Sequence, residues 1–173
     1  MKLNWAMWQG KNLEGANLEG ASLEWVEMSG ANLKGANLKG AKLKYAHLRN
    51  TNLSQANLEG ANLDNADLEN ANLERANLRR ASMVKSDLKL ASMEQSNLEG
   101  ANLERADLSG ADLESANLRA ARLVSALLGM ANFKRADLTG ANLNDAFQHG
   151  ALFKRTIWTD GRTCASGSIG KCK

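Results

Sequence analysis

A five-residue phrase (small residue, Asn, Leu, charged residue, Gly) runs in register from near the N-terminus to about residue 158, and it decides what this chain can fold into. Its plainest statement is ANLKGANLKG at residues 31–40. With the Leu of each phrase as its centre, 23 of the 27 centres from 13 to 143 are Leu, the others being Met28, Met83, Met93 and Phe133. Two residues before the centre, from 16 to 151, Ala fills 24 of 28 positions, with Val26, Thr51, Ser86 and Ser96 as exceptions. A pattern this regular has to map onto a repeating backbone unit.

Neither common regular structure accepts it. On a helix, at about 100° per residue, a step of five turns the side chain by about 140°, so the leucines scatter around the cylinder and form no apolar stripe. On one straight strand, Ala and Leu share a face, but the odd period flips that face at each repeat. The pattern is satisfied if the chain turns after every pentapeptide, keeping each Ala and Leu inward. Four turns of about 90° close a coil, and stacked coils pair their backbones at about 4.8 Å. The frequent Gly at the last position suits such corners, and Asn or Asp suits the bends through bonds to nearby backbone.

The charges fix the coil length. Positions 20 apart should stack, and the column Glu19, Lys39, Glu59, Arg79, Glu99, Arg119 alternates in sign at each step. Glu24, Lys44 and Asp64 alternate likewise, and Glu14 falls under Lys34. Opposite charges across a ladder stabilise by about 0.2–1 kcal/mol a pair, and like charges oppose it. A coil of 15 or 25 residues would not yield these columns.

The A(N/D)LXX phrase over residues 3–158, some nine-tenths of the chain, resembles the pentapeptide-repeat proteins. That resemblance implies an all-β fold, a right-handed quadrilateral β-helix with the central Leu or Phe and the preceding Ala filling the interior. Residues 3–158 then make about eight four-sided coils, a rod some 38 Å long at strand spacing. The expected organisation is a β-helix over 1–158, with 1–10 as an N-terminal cap region, and a C-terminal capping loop over 159–173. Trp8 at a centre is expected to cap the N-terminal edge. At the other end Phe147, Leu152 and Ile157 replace Asn, and Phe153 and Trp158 are bulky centres, as in a cap. The Asn column from 17 to 117 should form a ladder of stacked amides.

Three features stand outside the repeat. Trp5, Trp25 and Tyr45 lie 20 apart and so stack at one outward corner; they read either as edge protection near the N-terminal cap or as a contact for a protein partner. Glu27, His47, Asp67, Asp87 and Asp107 form an acidic column, a solvated face that Lys85 and Arg105 are expected to neutralise. Cys164 and Cys172 are the only cysteines. Their separation makes a poor zinc site, leaving a disulfide that staples the cap or a pair of reduced thiols. A disulfide would go with export to the periplasm or a lumen, and reduced thiols with the cytoplasm.

The catalytic inventory is thin. His47 and His149 lie about five coils apart at strand spacing, and no nucleophile elbow, metal-ligand cluster or phosphate loop appears. An interior of Leu and Ala leaves no ligand-sized pocket. The expectation is a non-enzyme with no cofactor and no small-molecule substrate: a non-catalytic interaction or scaffold rod. No apolar run reaches membrane-spanning length, and the first ten residues lack the apolar core of a signal peptide. The alternative, drawn from the resemblance, is a DNA mimic that modulates DNA gyrase and confers quinolone resistance. Such a mimic needs a predominantly negative surface, whereas this chain alternates its charges and sums to +3. Direct nucleic-acid binding is disfavoured as well, because Lys34, Lys39, Lys44 and Arg49 ring one coil without lining a groove. The resemblance also allows a monomer or an end-to-end homodimer through a cap, with Phe153 and Trp158 as contacts.

Overall fold

The chain bends every five residues, as the phrase requires. In the computed structural model, which describes residues 2–173, each centre's carbonyl accepts the N–H of the residue three further on, as from Ala36 to Leu33 at 3.0 Å. Every fifth residue from Trp5 to Arg155 has a positive φ. Positive φ at the third turn position, with this bond, is the signature of a type II turn. Gly takes that conformation freely, but Arg80, Leu90 and Met130 adopt it too, at φ 56°, 56° and 58°. For such residues the left-handed region costs roughly 1–2 kcal/mol. The stack helps to hold them there: Arg80 N–H donates to the Glu99 carbonyl at 2.9 Å, one coil further on.

Between corners the chain is extended, and parallel bridges join residues 20 apart at every fifth position from Lys2–Ser22 to Asp137–Ile157. Each rung has two bonds. Leu33 N–H donates to the Asn52 carbonyl at 2.7 Å, and Asn52 N–H returns to Ala31 at 2.9 Å. The backbone is therefore a β-helix with a 20-residue repeat. Asn serves this backbone twice: its side-chain oxygen accepts the N–H two residues on, as Asn77 does from Arg79 at 3.2 Å, and its amide donates to the Asn one coil below, as Asn77 to Asn57 at 3.1 Å. Asp keeps the first role and loses the second.

Every centre from Leu23 to Leu138 is buried, and the small position before it is buried over the same span. Where that position is polar, its hydroxyl finds a carbonyl: Thr51 donates to Met28 at 2.9 Å, Ser86 to Met83 at 2.9 Å, and Ser96 to Met93 at 2.6 Å. That bond removes the cost of an unsatisfied buried hydroxyl.

The two ends differ. At the N-terminal end Leu3, Trp8 and Leu13 are only partly buried against the core. At the C-terminal end the tail folds back, adding antiparallel bridges Leu152–Ile169 and Ile157–Thr163. Phe153 is fully buried, its ring stacked on Phe133 at 5.3 Å and met edge-on by Trp158 at 5.0 Å. Its N–H donates to Ser168. The tail thus takes the place that a second copy would need to reach Phe153. Cys164 and Cys172 are joined by a disulfide, with Cys164 buried.

Ion pairs bind successive coils, though not always between the expected partners. Lys39–Glu59 at 3.6 Å and Arg79–Glu99 at 3.7 Å follow the charge column. Glu14 and Glu19, however, accept from the amides of Asn32 and Asn37 at 3.3 and 3.0 Å. An amide already fixed in the ladder loses less freedom than a lysine would. The acidic column is neutralised by other cations than Lys85 and Arg105. Lys89 reaches Asp87 at 2.7 Å and Asp107 at 3.6 Å, and Arg49 holds Asp67 at 3.4 Å and also pairs with Glu69. Lys89 shares a pentapeptide with Asp87, whereas Lys85 belongs to the corner before it.

Asp137 carries a pH signature. Burial alone pushes its carboxyl up, but hydrogen bonds from Thr139 and the Arg119 guanidinium outweigh this and hold it below the usual value. A lowered folded value stabilises above the unfolded value and loses that contribution as pH falls through the folded one. The stability advantage of the wild type over Asp137→Asn should therefore shrink as pH drops below about 4. Thermal unfolding midpoints between about pH 6 and pH 2 measure this, and a gap that widens toward acid would contradict it.

Candidate functional site: an aromatic corner

Trp5, Trp25 and Tyr45 occupy the last position of pentapeptides on three successive coils, at φ 66°, 60° and 60°. Their N–H groups bond upward to Glu24, Lys44 and Asp64 at 3.1–3.2 Å, which fixes the direction in which each side chain leaves the corner. The rings lie one on another: Trp5 and Trp25 have centroids 5.3 Å apart and planes within 3°, and Trp25 and Tyr45 are 4.3 Å apart at 15°. Trp5 is 67% exposed and Trp25 39%.

Polar groups frame this strip on both sides. Asn4 and Glu24 exchange two hydrogen bonds, the amide donating to the carboxylate at 3.4 Å and Glu24 N–H to the Asn4 oxygen at 3.1 Å. The Lys44 ammonium sits 5.1 Å from the Tyr45 ring centroid. On the next face lie exposed Met7 and the His47–Glu27 pair at 3.5 Å. The rings use their faces on one another, so the surface they offer is a line of ring edges plus the outer face of Trp5. That surface suits packing against side chains more than a flat sugar or base.

Stacking and backbone strain nearly cancel at this corner. A stacked aromatic pair contributes about 0.5–1.5 kcal/mol beyond its area, while each aromatic residue in the left-handed region costs roughly 1–2 kcal/mol. The two terms are of one size. Gly, which fills this position at Gly10, Gly15 and Gly20, would make the turn without either. Corners without glycine, such as Arg80, Leu90 and Met130, carry the same backbone cost, so what sets this corner apart is the exposed aromatic stack.

The other sequence candidates are placed apart. Asp67, Glu69 and Asp87 bring ligand oxygens within 4.8 Å of one another, but Arg49 and Lys89 already sit on these carboxylates. His149 lies beside Phe147, with ring centroids 6.1 Å apart, far along the rod from His47. Sequence reading treated Phe147 only as decay of the phrase. It points outward and is 57% exposed, next to Leu127 at 44% in its column. Met130, 72% exposed, lies against Gly150, where a Cβ would come within 3.2 Å of its Cγ. Reading the chain in columns of 20 from residue 127 would have found this patch. Among the described residues no helix is long and apolar enough to cross a membrane.

The sequence matches the family model for pentapeptide repeats (8 copies), over residues 2–35, 31–70, 56–95, 86–123 and 116–155. Among solved structures the chain is similar to HetL, a pentapeptide repeat protein involved in heterocyst differentiation regulation from the cyanobacterium Nostoc sp. strain PCC 7120. The identity is 31%, over 94% of this chain and 91% of that one, with a TM-score of 0.40. It is similar in fold to trypsin-treated QnrB1, a plasmid-mediated fluoroquinolone resistance protein, at 17% identity over 95% and 84% of the two chains and a TM-score of 0.54. A pentapeptide repeat protein from the Arabidopsis thaliana thylakoid lumen matches at 22% identity over 72% and 85%, with a TM-score of 0.41. No curated protein matches the chain.

Proposed function

This chain belongs to the pentapeptide-repeat family of right-handed β-helices, and from that premise we propose that it is a non-catalytic interaction rod whose outward corner residues carry its specificity. The rod is four-sided, of about eight coils at strand spacing, over residues 1–158 with 1–10 as its N-terminal cap region. Residues 159–173 form the capping loop. The observation that carries the reading is the aromatic corner, where Trp5, Trp25 and Tyr45 stack on three successive coils with Trp5 and Trp25 exposed. A protein partner packs on its ring edges, and the Asn4–Glu24 pair and Lys44 supply polar contacts at the rim.

The fold likeness to QnrB1 supports a shared backbone and nothing of its partner. A gyrase-directed DNA mimic would need an acidic surface, and here axial ion pairs such as Lys39–Glu59 and Arg79–Glu99 neutralise one coil against the next. The Cys164–Cys172 bond favours an oxidising compartment, and the tail folded over Phe153 favours a monomer over a dimer through that cap.

Affinity capture from the native source, repeated with Trp25→Ala and Tyr45→Ala, tests the reading. A protein retained by the wild type and lost with either variant is the expected result; an unchanged set of partners removes the corner from consideration. Both variants should keep the wild-type far-ultraviolet spectrum, since Tyr45→Ala gives up one stack of about 1 kcal/mol and Trp25→Ala two, and neither touches the core.

A further inference from the structure

The net charge of this chain is not spread along the rod. From residue 130 onward there are seven cations (Lys134, Arg135, Lys154, Arg155, Arg162, Lys171, Lys173) against Asp137, Asp145 and Asp160. That end has a net +4, and the preceding 129 residues have a net −1. Much of the excess collects at one corner. Lys134 and Arg135 end one pentapeptide and Lys154 and Arg155 end the one stacked on it. Together with Glu114 from the coil before, they line a cleft.

Elsewhere on the rod Lys39, Arg49, Arg79 and Arg119 pair with carboxylates on the next coil. Others, such as Lys34 and Arg80, form no ion pair among the described residues but do not cluster in a cleft. Here Arg135 pairs with Glu114 at 3.6 Å, and among the described residues Lys134, Lys154 and Arg155 form no ion pair. Arg135 and Arg155 hold φ 59° and 58°, so two further side chains occupy corner positions where glycine would turn without strain.

The tail lies against the backbone of the same coil. Arg155 N–H donates to the Cys164 carbonyl at 3.1 Å, and Cys164 is bonded to Cys172. Ala165 N–H donates to the Lys173 carbonyl at 3.0 Å, and Lys173 N–H to the Ser168 hydroxyl at 3.0 Å. The disulfide therefore ties the segment bearing Lys171 and Lys173 to Cys164, and the Gly170 N–H holds the same segment to the Ala151 carbonyl at 2.8 Å.

We propose that this corner is a binding site for an oligophosphate, an anion with at least two linked phosphate groups. Lys134 and Lys154 stand one coil apart, a spacing of about 4.8 Å, which suits adjacent phosphates on one chain. The guanidinium groups of Arg135 and Arg155 add forked donors for phosphate oxygens. Glu114 keeps Arg135 in place and limits the site to ligands charged enough to tolerate a nearby carboxylate. The site is distinct from the aromatic corner and needs no protein partner.

The test is calorimetric titration of the full chain with tripolyphosphate, with inorganic phosphate in parallel. Saturable binding of one tripolyphosphate per chain is expected, at least tenfold tighter than phosphate and weakening steeply between 50 and 200 mM salt, on the order of several-fold. Lys154→Ala with Arg155→Ala should weaken it at least tenfold. Lys34→Ala with Lys39→Ala, which removes the same charge from another coil, should leave it within about twofold. Equal losses in the two double variants would mean a general charge effect and would overturn the proposal. So would binding seen only with a polynucleotide and not with tripolyphosphate. Circular dichroism of each variant guards against unfolding as the cause of any loss.

Discussion

Replacing Leu78 by Ala should destabilise the protein by about 3 kcal/mol. Leu78 is fully buried at a centre near the middle of the rod, with Leu58 and Leu98 in the same column on the coils below and above. Deleting its side chain removes apolar contact on both sides and leaves a void that cannot collapse, because rung hydrogen bonds fix the coil spacing. Leu78 N–H donates to Asn97 at 2.7 Å, and Asn77 and Asn97 carry the rungs on either side. The same change at Leu13, in the first coil and only partly buried, should cost about 1 kcal/mol, since one side of its cavity is open to solvent. Equilibrium denaturation of the two variants measures the difference. Equal effects at the two positions would contradict a core that is continuous along the axis. Because each coil contacts only its neighbours, the mid-rod variant should also broaden the transition by weakening the coupling between the two halves.

The second large effect is expected at the other end. Cys164→Ser with Cys172→Ser opens a short ring, and the loop-entropy model assigns such a ring about 2.5 kcal/mol. The loss should be local. The tail supplies the acceptor for Phe153 N–H, the donor to Ala151 and the bridge to Ile157, so its release exposes the terminal coil and the buried Phe153 ring. Hydrogen exchange should accelerate at Phe153, Thr156 and Trp158 by one to two orders of magnitude while the amides around Leu78 keep their protection. Uniform acceleration along the chain would mean that the disulfide supports the whole rod, and no acceleration at Phe153 would mean that the tail does not depend on it.

Much of the backbone was legible from residue identity alone. Ala31, Leu33 and Gly35 each announce a place on the pentapeptide, and the sign alternation from Glu19 to Arg119 announces the repeat of 20, which the Lys2–Ser22 to Asp137–Ile157 bridges follow. The same pattern also located the aromatic column, because Trp5, Trp25 and Tyr45 break the phrase at one position.

What stayed hidden depends on side-chain reach. A column says that Glu19 lies under Lys39, but it does not say that the Asn37 amide, already anchored in its ladder, takes the carboxylate first while Lys39 extends upward to Glu59. Nor does spacing reveal that Lys89, within the same pentapeptide as Asp87, neutralises a column that Lys85 leaves untouched. The phrase predicts a turn after every pentapeptide, but not that corners without glycine make the same left-handed turn. The structure makes it at every corner, Leu90 and Met130 included, because stacking sets the backbone and the residue accommodates. The C-terminal cationic corner was hidden in the small overall charge of +3, and the tail beyond it is irregular and lies outside the periodic argument.

The central claim is that 20 residues advance the chain by one strand spacing along the axis, and distance measurements between spin labels test it most directly. Labels attached independently of the native cysteines at Glu19 and Arg119 lie five coils apart in one column, and labels at Glu19 and Thr139 lie six apart. The account predicts separations of about 24 and 29 Å, a difference of one rung, after allowance for the label arms. Distributions that fail to lengthen from the first pair to the second, or that depart from these values by more than about 8 Å, would contradict a coil of 20 residues.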